Sequence, residues 1–195
     1  MKYGLLVLTF FLAAATSPST EMERWIIDAS SELIISGATN VNDFICRTDC
    51  YDVRDTLELI SQKEGGTVMF SRNAMVIPVS SFECGNDLIT RDFQETLKVN
   101  EYPELTIRFV SIDDRATVLQ AGAVTGKVEI TLAGTTRVYS VLYSAASNGR
   151  NTFSLTGKQA VCFSDFNLEA PRKMMGLIKV QDNLEVEFQL HLVRI

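Results

Sequence analysis

Histidine is almost missing from this chain: His191 is the only one among 195 residues. A serine or cysteine nucleophile activated by imidazole would have to use it. A zinc hydrolase would lack its usual set of imidazole ligands. In the run Leu190-His191-Leu192 it falls on the polar side of an alternating strand, so the simplest reading is an exposed strand residue. Phosphate-cradling glycine motifs are missing as well. Neither G-x-G-x-x-G nor G-x4-G-K-[ST] occurs, which removes nucleotide cofactors from consideration. Basic charge is scarce, with 18 Lys and Arg against 24 Asp and Glu and a net charge of −6. That balance argues against nucleic acid or an anionic membrane surface as a partner, since both select basic patches.

Long apolar runs are confined to the beginning. Lys2, the apolar stretch Gly4 to Ala15 and the small residues Ala13-Ala14-Ala15-Thr16-Ser17 have the order of a signal peptide. The apolar part is shorter than the roughly 20 residues that span a bilayer. No cysteine follows closely, so no lipoprotein anchor is expected. The expected organisation is a signal peptide over 1–20 and a single domain over 21–195, exported to the periplasm or secreted. No integral membrane span is expected. A domain of this size with 46% hydrophobic residues can bury a large core.

Four cysteines remain after the leader: Cys46, Cys50, Cys84 and Cys162. In an exported chain an even count favours disulfides. Cys46 and Cys84 each end a strand candidate beside a polar turn, which makes them the preferred pair, and Cys50–Cys162 follows by elimination. A four-cysteine zinc site normally needs two close C-x2–4-C pairs; only Cys46-x3-Cys50 has that spacing, so no metal is expected. Acidic pairs carry little chemistry. Asp113-Asp114 is explained by turn formation, and Asp43, Asp49, Asp52 and Asp55 lack the D-x-D-x-D-G order of a calcium loop. Glu185 and Glu187 read as a solvated strand face. No catalytic residue emerges, and the chain is not expected to be an enzyme.

What is present is β periodicity. Strand candidates fall at about 24–28, 31–37, 42–46, 67–70, 74–80, 104–112, 116–123, 126–133, 136–145, 152–161 and 182–193. In the last, Leu184, Val186, Phe188, Leu190 and Leu192 alternate with polar residues, which needs one buried and one wet face. Gly65-Gly66, Asp113-Asp114, Gly134 and Asn148-Gly149 supply turns. Two segments have no assigned form: Thr48–Leu59, a candidate second helix, and the apolar loop Glu169–Lys179. One helix interrupts the strands at about 86–98. Asn86 or Asp87 caps it; Ile89, Phe93 and Leu97 form its buried stripe; Tyr102-Pro103 is expected to end it.

Three inward alternations (Leu105/Ile107/Phe109, Val128/Ile130/Leu132 and the Leu184–Leu192 run), with Leu33 and Ile35, would line a curled sheet. An eight-stranded barrel is just wide enough to be filled by side chains or to hold one small ligand. On residue types alone both readings stand, with a packed core favoured. Tyr139, Tyr143, Phe166, Met174 and Met175 are candidates for the mouth or wall, or for packing under the 169–179 loop. Arg91 and Arg172 are candidates for a polar head group, or plain surface charges.

Four places resemble the YceI-like family of exported lipid-binding proteins. They are Trp25-Ile26-Ile27-Asp28 with Ser31; Arg91-Asp92-Phe93 through Leu97-Lys98 to Glu101-Tyr102-Pro103-Glu104-Leu105-Thr106-Ile107; Val124 to Gly134; and Asp165-Phe166-Asn167-Leu168 with Val180 to Leu192. The resemblance implies a lipocalin-like extended antiparallel β-barrel with one short helix. It also implies an apolar channel holding a hydrophobic, isoprenoid-type lipid or another amphiphile, without a cofactor. On that reading the channel is lined by Leu33, Ile35, Ile107, Phe109, Val128, Ile130, Leu132, Val186, Phe188 and Leu190, with the mouth and wall candidates above. The family commonly has a histidine before the serine that follows the first strand; Ser30 stands there, so no head-group role for histidine carries over. A packed surface interaction module and a hydrolase of unfamiliar type are the alternatives. The oligomeric state is open, a dimer among the possibilities.

Overall fold

A computed structural model of the protein describes residues 20–48, 56–62, 66–71, 74–114, 118–120 and 122–195. Except for Thr20, the expected leader lies outside them, as do Cys50, Asp49, Asp52 and Asp55. The chain is a β-barrel in two tiers. Five strands make a wall common to both: β8 (Glu104–Ile112), β9 (Ala123–Leu132), β10 (Thr135–Ser147), β11 (Thr152–Cys162) and β13 (Ile178–Arg194). Each runs antiparallel to the next. Their inner residues alternate with outer ones, as at Leu105, Ile107 and Phe109 or Leu184 to Leu192, because successive side chains point to opposite faces.

The opposite wall is built twice. In the lower tier β1 (Thr20–Ile27), β4 (Thr56–Gln62) and β5 (Val68–Phe70) bridge from the end of β13 to the end of β8. This closes a hydrogen-bonded ring of eight strands. In the upper tier β2 (Glu32–Thr39) pairs with the middle and beginning of β13, then with β3 (Asp43–Thr48), and β3 with β7 (Phe82–Glu83). A 3-10 turn at Val79–Ser81 joins β7 to β6 (Ala74–Pro78), which returns to β8. So β1 and β2 lie end to end along β13, and β5 and β6 end to end along β8. A short β12 (Arg172–Lys173) forms a hairpin with the start of β13.

The helix α1 (Asp87–Thr96) follows β7 and packs on the upper tier. The Asn86 side chain accepts from the Leu88 and Ile89 amides at 2.8 and 3.4 Å. Phe93 and Leu97 are buried and Ile89 packs against the core, as the stripe predicts. The helix ends before Tyr102-Pro103, because Lys98 turns left-handed at φ 59° and the chain leaves the helical path there. Elsewhere the structure corrects the strand assignments. Val118 and Leu119 of the 116–123 candidate are helical. Thr56–Leu59 belongs to β4 and not to a helix, since it is flanked by β1 and β5 in the closing ring. The Glu169–Lys179 loop contains β12 and the start of β13.

The β9–β10 connection is a two-residue hairpin, Ala133-Gly134, with φ of 46° and 73°. Positive φ at both central residues matches the twist of the flanking strands. The Tyr102 ring packs over Gly134, where a Cβ would come within 2.8 Å of it. That contact fixes the turn after α1 against the barrel rim.

Candidate functional site

The upper tier encloses an apolar chamber. Its walls are Leu33 and Ile35 from β2, Leu105 and Ile107 from β8, Ile130 and Leu132 from β9, and Leu184 and Val186 from β13. Its cover is made of parts outside the sheet: Phe93 of α1 and Leu97 at its C-terminal cap, and Phe163 and Phe166 of the 3-10 turn Phe163–Phe166. The space left open is about 40 Å³, room for a few waters. Among the described residues no charged side chain lines it.

Both covers are tethered to the barrel at a few points. The disulfide Cys46–Cys84 joins β3 to the segment entering α1, 38 residues apart in sequence. Gln94 Nε2 donates to the carbonyls of Ser80 and Phe82, each at 3.1 Å. On the other cover, Asp165 Oδ2 accepts from the Cys162 amide at 3.0 Å and from the Tyr139 hydroxyl at 2.9 Å. Burial and then this bond hold the Tyr139 phenol protonated well above its ordinary range. Asn167 takes a left-handed φ of 56° and donates to Thr135 Oγ1 at 3.0 Å. Cys162 has no disulfide partner among the described residues, and its expected partner Cys50 lies outside them; burial and the neighbouring Asp165 and Asp182 push the Cys162 thiol up.

The lower tier is filled by aromatic rings. Trp25 stacks on Phe153 at 5.2 Å, Phe70 tilts against Phe109 at 6.0 Å, and Tyr143 meets Phe188 edge-on at 6.2 Å. The space remaining is about 10 Å³, bordered by Trp25, Leu57, Phe109, Val128, Tyr143 and Leu190 among others. Gly126 and Gly157 make the recess for the Tyr143 ring, since a Cβ there would lie 3.0 and 2.6 Å from it. The Tyr143 hydroxyl is buried with no hydrogen-bond partner among the described residues. Burial alone raises its pKa. An unpaired buried hydroxyl costs about 1–3 kcal/mol.

The residues expected to line one channel are thus divided. Leu33, Ile35, Ile107, Ile130, Leu132, Phe166 and Val186 border the upper chamber; Phe109, Val128, Tyr143 and Leu190 border the lower space. Phe188 is buried against Tyr143. Tyr139 is half-buried against Phe166, at 6.5 Å, and borders neither. Met174 and Met175, the other mouth or wall candidates, border neither space: they are 67% and 106% exposed on the tip of the β12–β13 hairpin, with left-handed φ values of 50° and 57°. Arg91 and Arg172 are exposed. Phe163 was not anticipated, although it continues the inward parity of Val161. His191 lies on the outer face of β13, half-buried, with Nδ1 3.1 Å from Ser154 Oγ across the β11–β13 ladder.

No protein-family model matches the sequence, and no curated protein is similar to it. Solved structures do match. BcnA of Burkholderia cenocepacia aligns at a TM-score of 0.57 and 17% identity, over 85% of this chain and 98% of its own. A polyisoprenoid binding domain from Saccharophagus degradans, implicated in plant cell wall breakdown, aligns at 0.60 and 14% identity, over 88% and 98%. The fold is YceI-like. A Campylobacter jejuni YceI protein aligns over 98% of this chain and 96% of its own, at a TM-score of 0.45 and 12% identity. Against the YceI-like fold the resemblance of the four sequence places is an agreement of architecture: opening strand, helix and turn, hairpin, and last two strands occupy this barrel in that order.

Proposed function

We propose that this chain is a divergent YceI-like carrier, exported and non-enzymatic, that holds a hydrophobic isoprenoid-type lipid or another amphiphile in its upper chamber. One observation carries the reading: the chamber is walled by apolar side chains but covered by a helix and a turn, which can shift without breaking the strand ladder. The polyisoprenoid-binding domain with the same fold supports the choice of ligand class. The Cys46–Cys84 disulfide supports an oxidising compartment.

At about 40 Å³ the chamber is too small for a prenyl chain. Binding therefore requires Phe93, Leu97 and Phe166 to move aside and pack on the ligand instead of on each other. A chain that buries about 400 Å² of apolar surface gains on the order of 10 kcal/mol at about 25 cal/mol per Å². Ordering of the ligand and displacement of the cover reduce that figure. The same small volume favours a second reading, an interaction module with a packed core.

Mass spectrometry of an organic extract from natively purified, periplasmically exported protein distinguishes the two. The carrier reading expects a stoichiometric lipid that a matched control lacks. An empty extract, with no binding of lipids from the native source, would leave the packed module.

A further inference from the structure

The β12–β13 hairpin is the least economical piece of the molecule. Its tip, Met174-Met175-Gly176-Leu177, holds three consecutive residues at positive φ (50°, 57° and 88°), two of them not glycine. Backbone of that shape is rare for residues with a side chain and persists where the surroundings impose it. Here the result is exposure: Met174, Met175 and Leu177 are 67%, 106% and 72% accessible.

The tip is also braced. Lys173 Nζ lies 2.6 Å from Asp92 of α1. Asn40 donates to the Leu177 carbonyl at 2.9 Å and accepts from the Lys179 amide at 2.8 Å. These ties bring two further exposed apolar side chains to the same end, Val41 beside Asn40 and Leu88 one helical turn before Asp92. Charge there departs from the rest of the chain. Residues 171–180 contain Arg172, Lys173 and Lys179 and no acid, within a protein of net charge −6; with Lys173 paired to Asp92, Arg172 and Lys179 carry the local positive charge.

We infer that this hairpin tip docks on the surface of an anionic lipid bilayer. A convex tip of exposed methionines suits insertion at the boundary of head groups and acyl chains. Flanking cations suit the negative surface potential. The acidic remainder of the molecule is repelled by that surface, so charge selects the tip-first orientation. That orientation brings α1 and the covered end of the upper chamber toward the bilayer. The inference stands on the tip's own geometry and charge, whatever the barrel holds.

Vesicle flotation tests it with the purified protein. Wild type is expected to float with vesicles of equimolar phosphatidylcholine and phosphatidylglycerol, less so at high salt, and to stay behind with phosphatidylcholine alone. The double variant Met174→Ser/Met175→Ser should bind the anionic vesicles at least about tenfold more weakly. Arg172→Gln should bind about fivefold more weakly. Leu142→Ser, which removes an exposed apolar side chain from the outer face of β10, should bind as wild type does. Thermal melts matching wild type establish that the variants fold. Wild type that ignores anionic vesicles, as it would if the tip served a protein partner, overturns the inference. So does a folded double methionine variant that binds them undiminished.

Discussion

The two tiers share five strands and differ in what finishes them. The lower is closed by hydrogen-bonded strands, β1, β4 and β5, and plugged by three aromatic pairs. The upper is closed through the bent β6–β7 segment and covered by α1 and a 3-10 turn. A strand ladder opens only by breaking several backbone hydrogen bonds together. A helix resting on an apolar stripe can move while keeping its own ladder intact. The lower tier is therefore the anchor of the barrel and the upper tier its adaptable end.

The largest expected effect breaks the anchor. Trp25→Ala removes the ring stacked on Phe153 and should cost about 3–5 kcal/mol in urea unfolding. Leu97→Ala, in the adaptable cover, should cost less, about 2 kcal/mol. Next comes the disulfide that ties the cover to β3. Replacing Cys46 and Cys84 together by serine should lower stability by about 2–4 kcal/mol, measured as a shift of the unfolding midpoint. The smallest effect has the opposite sign. Tyr143→Phe removes a hydroxyl that finds no partner among the described residues, so lipid-free protein should gain up to about 1 kcal/mol and melt at higher temperature.

Much of the wall is legible in the sequence because alternation is a local signal. The polar–apolar parity of Leu184 to Leu192 sets the inward face of β13, and the i, i+4, i+8 spacing of Ile89, Phe93 and Leu97 sets the buried face of α1. The Cys46–Cys84 pair could be anticipated because each residue closes an apolar strand-like run in the sequence, although Cys46 lies inside β3 and Cys84 just past β7. The two-tier plan could not be read in this way. That β1 and β2 share one edge of β13 depends on long-range pairing, which no periodicity encodes. The same holds for Thr56–Gln62, whose strand form comes from its neighbours β1 and β5. The exposure of Met174 and Met175 is hidden in the sequence for another reason. Apolar type suggests burial, but backbone sign decides direction, and two left-handed methionines in a row are not a pattern that residue type reveals. Alternation puts Phe188 on the inner face and residue type marks Tyr143 only as a mouth or wall candidate; their ring-to-ring contact, which fills the barrel's middle, is a matter of packing.

The central claim is that a lipid occupies the adaptable end and not the plugged one. Its most direct test is a titration of delipidated protein with a prenyl-chain probe, comparing Ile35→Phe, which fills the upper chamber, with Leu190→Phe, which crowds the lower space. Both variants should remain folded at a cost of about 1–3 kcal/mol. The account predicts that Ile35→Phe loses binding while Leu190→Phe retains it. Equal binding by both folded variants, or loss only in Leu190→Phe, would contradict it.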